Sequence, residues 1–184
     1  MSQKLSLFIL LAAVFGCILS AGCISSESPQ YEEWELTVTQ DGETITYSMT
    51  DLVTMEKVSG YGCSVSTVGI VTGPYQYAGV PLMSLISLNV DQLLYIYGED
   101  QYMWVMDKDT ASGDDLFVFD QEFNEIEADT LGLTIILAYD EGNTPLTQEM
   151  GGPLRLVVVS DREDIITEGS GWVKWVTRLE VVDK

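Results

Sequence analysis

Cys63 is the residue with the most versatile chemistry in this chain of 184 residues. The two other cysteines, Cys17 and Cys23, lie within and just after an apolar N-terminal stretch. No disulfide can therefore form within the rest of the chain. A thiolate at Cys63 could act as a nucleophile or as a ligand for a soft metal. The alternative is a small thiol that fills a gap beside the neighbouring glycines.

The sequence contains no histidine, and this limits the chemistry that its side chains can perform alone. Histidine is the usual general base near neutral pH and the commonest metal ligand in proteins. Ser-His-Asp catalysis and histidine-based zinc sites are therefore excluded. There is also no paired-cysteine motif for an iron–sulfur cluster or a cysteine zinc site. An enzyme built on this sequence would need a cofactor that brings its own reactivity.

The chain is strongly acidic, with 8 Lys and Arg against 29 Asp and Glu and a formal net charge of −21. Residues 1–22 contain one cation, Lys4, and no acid, so the remainder has seven cations against 29 acids, or −22. Such a surface does not bind nucleic acid by neutralising phosphates, and anionic lipid headgroups repel it. The acidic segment Asp107–Asp115 lacks the spacing of the helix–loop–helix calcium site, so we expect a solvated turn there.

The N-terminus has the features of an export signal. Lys4 is the only charge before an apolar run from Leu5 to Gly22. The sequence Ser20-Ala21-Gly22-Cys23, at the end of this run, predicts a signal peptide over residues 1–22 and a lipid on Cys23. The alternative is an uncleaved membrane helix, because the run is just long enough to span a bilayer. Both interpretations place the protein at the cell membrane, facing outside the cytoplasm.

Beyond the signal, the composition predicts a polar tether over residues 23–33 and one domain over residues 34–184. Alternating β-branched runs and few helical patterns indicate an α+β domain dominated by β. We expect a glycine-rich loop from Gly60 to Pro74 and a helix from Pro81 to about Leu88. We also expect a strand over Val173–Val176, with Trp175 buried near the domain centre and beside the strand that carries Arg155.

Several motifs resemble, in their order, those of one known family. They are Tyr77-Ala78-Gly79-Val80-Pro81-Leu82, Leu137-Ala138 followed by Gly142 to Leu146, Gly152-Pro153-Leu154-Arg155, and Val173-Lys174-Trp175. The pattern resembles the oxidoreductase molybdopterin-binding domain, the core of the sulfite oxidase family, from about Trp34 to Val182. The resemblance implies a sulfite oxidase-type molybdopterin-binding fold, with mixed sheets and a few short helices.

The resemblance also implies roles for individual residues. Cys63 lies between an early strand and the Gly-Val-Pro-Leu element. In the family, the catalytic cysteine that binds molybdenum lies at that place. The loop before Lys174 would contact the phosphate of the molybdopterin, which implies five cofactor-binding residues: Arg155, Ser170, Gly171, Trp172 and Lys174. From the residues alone, Lys174 could equally face solvent on a strand, and Arg155 could pair with a buried carboxylate.

Two functions of different class therefore follow from the sequence. One is a molybdopterin-dependent oxidoreductase outside the cytoplasm, with molybdenum on Cys63 and a redox partner. The other is a non-catalytic domain of the same fold that binds a ligand or a structural protein partner. The scarcity of cations and the missing histidine weigh against an enzyme, because the family's catalytic members surround the pterin and an oxyanion substrate with such residues.

The first prediction concerns the membrane anchor. Changing Cys23→Ser removes the thiol that would take the lipid, so we expect release of the domain or accumulation of an unprocessed precursor. Membrane fractionation together with the mass of the mature N-terminus measures both outcomes. A variant that is cleaved and membrane-bound like the parent would contradict the lipid anchor.

Overall fold

The computed structural model describes residues 29–184, which are built mainly from strands. Two short helices are present in this part of the chain, α1 (Met49–Thr54) and α2 (Lys108–Ser112). The strands are β1 (Glu35–Gln40), β2 (Glu43–Ser48), β3 (Val58–Val65), β4 (Val71–Pro81), β5 (Gln92–Gly98), β6 (Met103–Met106), β7 (Val118–Phe119), β8 (Glu125–Ile126), β9 (Thr134–Glu141), β10 (Thr144–Pro145), β11 (Arg155–Val159), β12 (Ile166–Glu168) and β13 (Val176–Asp183).

The first sheet has five strands in the order β2-β1-β13-β5-β6. Strands β1 and β13 run parallel, and the other neighbours are antiparallel. The β1–β2 turn is Asp41-Gly42, where both residues have positive φ, as a tight hairpin turn requires. Leu36, Val38 and Leu179 are buried on one face of this sheet. The sheet therefore covers the core with that face.

The second sheet has eight strands and contains a closed ring of four. Strand β3 pairs with β4, β4 with β9, and β9 with β11. Ser160, directly after β11, then pairs with Tyr61 of β3 through N···O distances of 2.7 and 2.9 Å. The remaining strands extend the sheet from β3 through β12, which runs parallel to it, to β7 and β8.

Two apolar clusters follow from this arrangement. The larger cluster includes Leu36, Leu94 and Leu179 from the first sheet, with Leu137 and Leu156 from the ring. The smaller cluster includes residues of the ring strands together with one tryptophan: Tyr77, Ile136, Ala138, Leu146, Val157, Val159 and Trp172. Because side chains alternate along a strand, β9 and β11 contribute successive residues to the two clusters.

The predicted fold class is confirmed, since the domain is mostly β with two mixed sheets and few short helices. Several local predictions were wrong. The glycine-rich segment is the β3–β4 hairpin rather than a loop. Pro81 ends β4 and leads into one 3-10 turn, Leu82–Ser84, instead of a helix. Asp107 caps α2 by accepting a hydrogen bond from the Thr110 N–H, so the acidic segment is partly helical.

The described part of the predicted tether, residues 29–33, has no regular secondary structure, yet Tyr31 contacts the domain. Its hydroxyl donates to Asp140 at 3.1 Å, and its ring packs edge-on against Tyr139 at 5.5 Å. Burial and the neighbouring Asp140 raise the pKa of Tyr31 to about 12. Across residues 29–184, no helix is long and apolar enough to cross a bilayer.

The second prediction tests the close packing at Gly62. A methyl group there would lie 2.9 Å from both Trp172 and Tyr77, whose rings are buried. We expect Gly62→Ala to lower the free energy of unfolding by about 1–3 kcal/mol through overpacking. Gly171→Ala is the matched control, because its nearest neighbour would be 3.5 Å away. Denaturant unfolding measures both, and equal stability of the two variants would contradict the tight packing.

Candidate functional site

Cys63 lies on β3, next to the point where the β3–β4 pairing is irregular. Gly62 pairs with Tyr75 and Ser64 pairs with Thr72, so Gly73 and Pro74 together stand opposite Cys63. The Cys63 side chain is 4% exposed, and burial raises the pKa of its thiol. Burial therefore works against the thiolate that a reactive cysteine needs.

Trp172 packs on the face of β3 that carries Gly62, opposite to the face that carries the Cys63 side chain. Its ring packs edge-on against Tyr77 at a centroid distance of 5.8 Å, and it is only 5% exposed. Its indole N–H donates to Thr167 Oγ1 at 3.0 Å, and the Thr167 hydroxyl donates to the Cys63 carbonyl at 3.2 Å. Two hydrogen bonds therefore connect the tryptophan to the backbone of Cys63. Gly62 provides the room for the ring, since it has no side chain on that face.

Arg155 begins β11, and its guanidinium lies near the ring of Trp172, with Cζ 5.3 Å from the centroid. Its Nη1 donates a long hydrogen bond of 3.4 Å to the Met150 carbonyl. Its Nε is buried and has no hydrogen-bond partner among the described residues. Arg155 also acts on Tyr77: burial raises the pKa of that hydroxyl, and the guanidinium partly offsets the rise. No carboxylate forms an ion pair with Arg155 in residues 29–184.

Lys174 and Trp175 are not on a strand, which corrects the prediction for Val173–Val176. Trp175 has a positive φ of 50°, so the chain turns there and β13 begins at Val176. Trp175 is half-buried, and its indole N–H donates to the Gln148 carbonyl at 2.9 Å. Lys174 is exposed, with its ammonium 5.8 Å from the Trp175 ring centroid. The strand predicted from alternation is absent here because Trp175 has a left-handed backbone conformation, which interrupts the extended chain.

Ser170 and Gly171 belong to a 3-10 turn, Gly169–Gly171, and contact other partners. The Ser170 hydroxyl donates to Glu168 at 2.6 Å, while its carbonyl accepts from the Tyr102 hydroxyl at 2.8 Å. The N–H groups of Trp172 and Val173 already donate to Gly169 and Gly171, both at 3.1 Å. These two amides are therefore not free to bind a phosphate.

A second feature is a cavity of about 250 Å³ between the two sheets, beside Gly171. Its walls are mainly apolar and aromatic, with carboxylates from Asp115 and Glu168 among the lining groups. The apolar lining residues include Trp104, Met106, Leu116, Phe117, Ile135, Leu156 and Val158. Its size and chemistry suit a small, mostly apolar molecule.

The residues do not fit a molybdopterin held between Cys63 and the loop before Lys174. The Cys63 thiol is not open to that loop, because the residue is 4% exposed and its side chain lies on the face of β3 opposite to Gly62 and Trp172. The two cations implied for the phosphate point to different places, Arg155 to Trp172 and Lys174 to Trp175. The structure thus brings Arg155 and Trp172 together, whereas Lys174 and Ser170 have other partners.

Comparison with known proteins shows the family. Residues 25–184 match the oxidoreductase molybdopterin binding domain, so the chain belongs to that family. The fold is similar to that of the sulfane dehydrogenase SoxCD from Paracoccus pantotrophus, with a TM-score of 0.58 and 20% identity. That match covers 82% of this chain but only 38% of the SoxCD chain, so this chain spans well under half of its length. No curated protein has a significantly similar sequence.

Sequence reasoning missed three residues that shape the site: Gly62, Thr167 and Tyr77. One signal could have revealed the first, because Gly60 and Gly62 are spaced by two within a strand and so share a face. Such a pair marks the close approach of another group, here Val159 and Trp172. The role of Thr167 had no sequence signal, since it depends on β12 lying parallel to β3.

The third prediction distinguishes the two tryptophans. Trp172→Ala should lower the free energy of unfolding by about 3–5 kcal/mol, because the ring fills the smaller cluster. Trp175→Ala should cost about 1–2 kcal/mol, because only a half-buried ring and one hydrogen bond are lost. Trp172→Phe is the matched variant, which keeps an aromatic ring but loses the hydrogen bond to Thr167. Chemical denaturation compares all three, and equal losses at 172 and 175 would contradict this assignment.

Proposed function

We propose that this protein is held outside the cytoplasmic membrane by a lipid on Cys23 and that its domain is a binding module for a ligand or protein. In this proposal the domain keeps the fold of the molybdopterin-binding oxidoreductases without working as one. The observation that carries it is the burial of Cys63, which is 4% exposed on a strand whose other face is covered by Trp172 at Gly62.

Electrostatics support the same proposal. The pterin phosphate is an anion and needs converging donors or cations. Arg155 and Lys174 diverge, two loop amides are already bonded, and the chain without residues 1–22 has a net charge of −22. An anionic cofactor or an oxyanion substrate would approach against that field. A small, mostly apolar ligand would avoid this repulsion and could enter the cavity beside Gly171.

The second candidate is a molybdopterin-dependent oxidoreductase with Cys63 as the protein ligand of molybdenum. Two observations favour it: Cys63 is the one thiol of the domain, and the buried Nε of Arg155 lacks a partner among the described residues. Loading the cofactor would require the buried Cys63 side chain to become accessible. The bound group would supply the redox chemistry, while Cys63 and Arg155 would hold it.

The fourth prediction decides between the two functions. The full chain is produced in a host that makes molybdopterin, and molybdenum per protein is measured for the parent, Cys63→Ser and Trp172→Ala. We expect the parent to carry no more molybdenum than Cys63→Ser, because Cys63 is buried and the two cations implied for the phosphate diverge. A catalytic family member produced in the same host is the positive control.

The opposite result is equally clear. Stoichiometric molybdenum in the parent that is lost in Cys63→Ser would establish the thiol as metal ligand and overturn the binding-module proposal. Molybdenum only in Trp172→Ala, dependent on Cys63, would show that the tryptophan alone blocks an otherwise intact site. That outcome would support the proposal for the natural chain.

A further inference from the structure

The distribution of charge along the chain is uneven. No Asp, Glu, Lys or Arg occurs from Val58 to Val90, although a fifth of all residues in the sequence are charged. This uncharged segment forms β3, β4 and the connection to β5. Burial explains part of it, because β3 and β4 line the ring. Burial does not explain the hairpin turn between them, which faces solvent.

The turn of the β3–β4 hairpin exposes large aliphatic side chains. Val68 is 78% exposed, Ile70 64% and Val71 41%. Their neighbours Ser66 and Gly69 close the turn, with the Gly69 N–H donating to the Ser66 carbonyl at 2.8 Å. Single exposed apolar residues are ordinary, but three at one uncharged tip indicate a surface that another phase or molecule covers. We call residues 66–71 the hairpin tip.

The hairpin tip projects from the end of the sheet where the N-terminal segment docks. Tyr31 binds Asp140, and Asp140 pairs with Ala78 of β4. The Gly142 N–H donates to the Gln76 carbonyl, so β9 ends there. Strand β4 continues from Gln76 towards Ile70 without a partner from β9, a further six residues or roughly 20 Å. The tip therefore extends beyond Asp140, where the N-terminal segment docks on the domain.

The N-terminal segment is long enough for the hairpin tip to reach a membrane in which Cys23 is anchored. Eight residues link Cys23 to Tyr31, and a fully extended chain of that length spans at most about 28 Å. The distance along β4 from Ala78 to the hairpin tip is about 26 Å at the rise of a strand. A lipid on Cys23 can therefore lie level with the tip, while Tyr31 stays on Asp140.

We infer that the hairpin tip inserts into the lipid interface as a second membrane contact, which orients the domain on the bilayer. The inference rests on the anchoring at Cys23 stated under the proposed function. Uncharged aliphatic residues at a tip can enter the boundary between headgroups and acyl chains. The nearest charged side chain on a paired strand is Glu168, beside Val65, and its carboxylate accepts a hydrogen bond from Ser170.

A bilayer is favoured over a protein partner because of charge and position. A protein partner for so acidic a molecule would be selected through complementary cations, and the tip has no carboxylate to pair with them. The acidic remainder of the domain is repelled by anionic headgroups, so the uncharged tip is the part that can approach lipid at low electrostatic cost.

The fifth prediction uses spin labels on the full chain reconstituted in phosphatidylcholine vesicles. Val68→Cys places a label on the tip. Val90→Cys is the matched control: it is 65% exposed and lies beyond the opposite end of β4. The parent, treated in parallel, gives the background from its own cysteines. We expect the label at 68 to collide with a water-soluble nickel complex at least about threefold less than the label at 90, and more with oxygen.

Three results would overturn the inference, and they are distinguishable. If the chain floats with the vesicles but position 68 is as accessible to nickel as position 90, the tip does not contact lipid while the anchor stands. If the chain does not float, the anchor fails and the tip contact fails with it. Shielding of position 68 that rises with protein concentration in the absence of vesicles would assign the tip to a second copy of the chain.

Discussion

The packing of Trp172 against Gly62 is the constraint on which the rest of the site depends. The ring sits between β3 and Tyr77, and its contacts make it part of the smaller apolar cluster. Its indole N–H needs a buried partner, which Thr167 provides. Thr167 in turn bonds Cys63, so β12 is held beside β3 through side chains as well as through the ladder. A single large residue thereby fixes the spacing between the loop before Lys174 and the Cys63 strand.

The chemistry of the site follows from that spacing. Cys63 lacks the exposure that would favour a thiolate, and burial raises the pKa of its thiol. The aromatic face of Trp172 lies beside the Arg155 guanidinium, in a place where an anion could otherwise bind. The Nε of Arg155 has no partner in the described part of the chain. A buried Nε with an unmade hydrogen bond is costly, and the surrounding packing has to offset that cost.

The sequence predicted the fold class and the order of strands from alternation and turn residues, because these signals are local. It could not predict the surroundings of Trp175, where one positive φ ends the alternation before β13. It also could not place Trp172, since its burial depends on Gly62 and Tyr77, more than ninety residues away. The burial of Cys63 also had no local signal, because it is set by the tertiary packing around β3.

The uncharged segment from Val58 to Val90 includes part of the candidate site and the exposed hairpin tip. The absence of charge has a different physical cause in each. Inside the ring, a charge would lose its hydration without gaining a partner, so β3 and β4 have no Asp, Glu, Lys or Arg beside Gly62 and Tyr77. At the hairpin tip hydration is available, and the same cause does not apply to Val68 or Ile70. Continued absence of charge there requires a different environment. A bilayer excludes water, and the proposed lipid on Cys23 would place one within range of that tip.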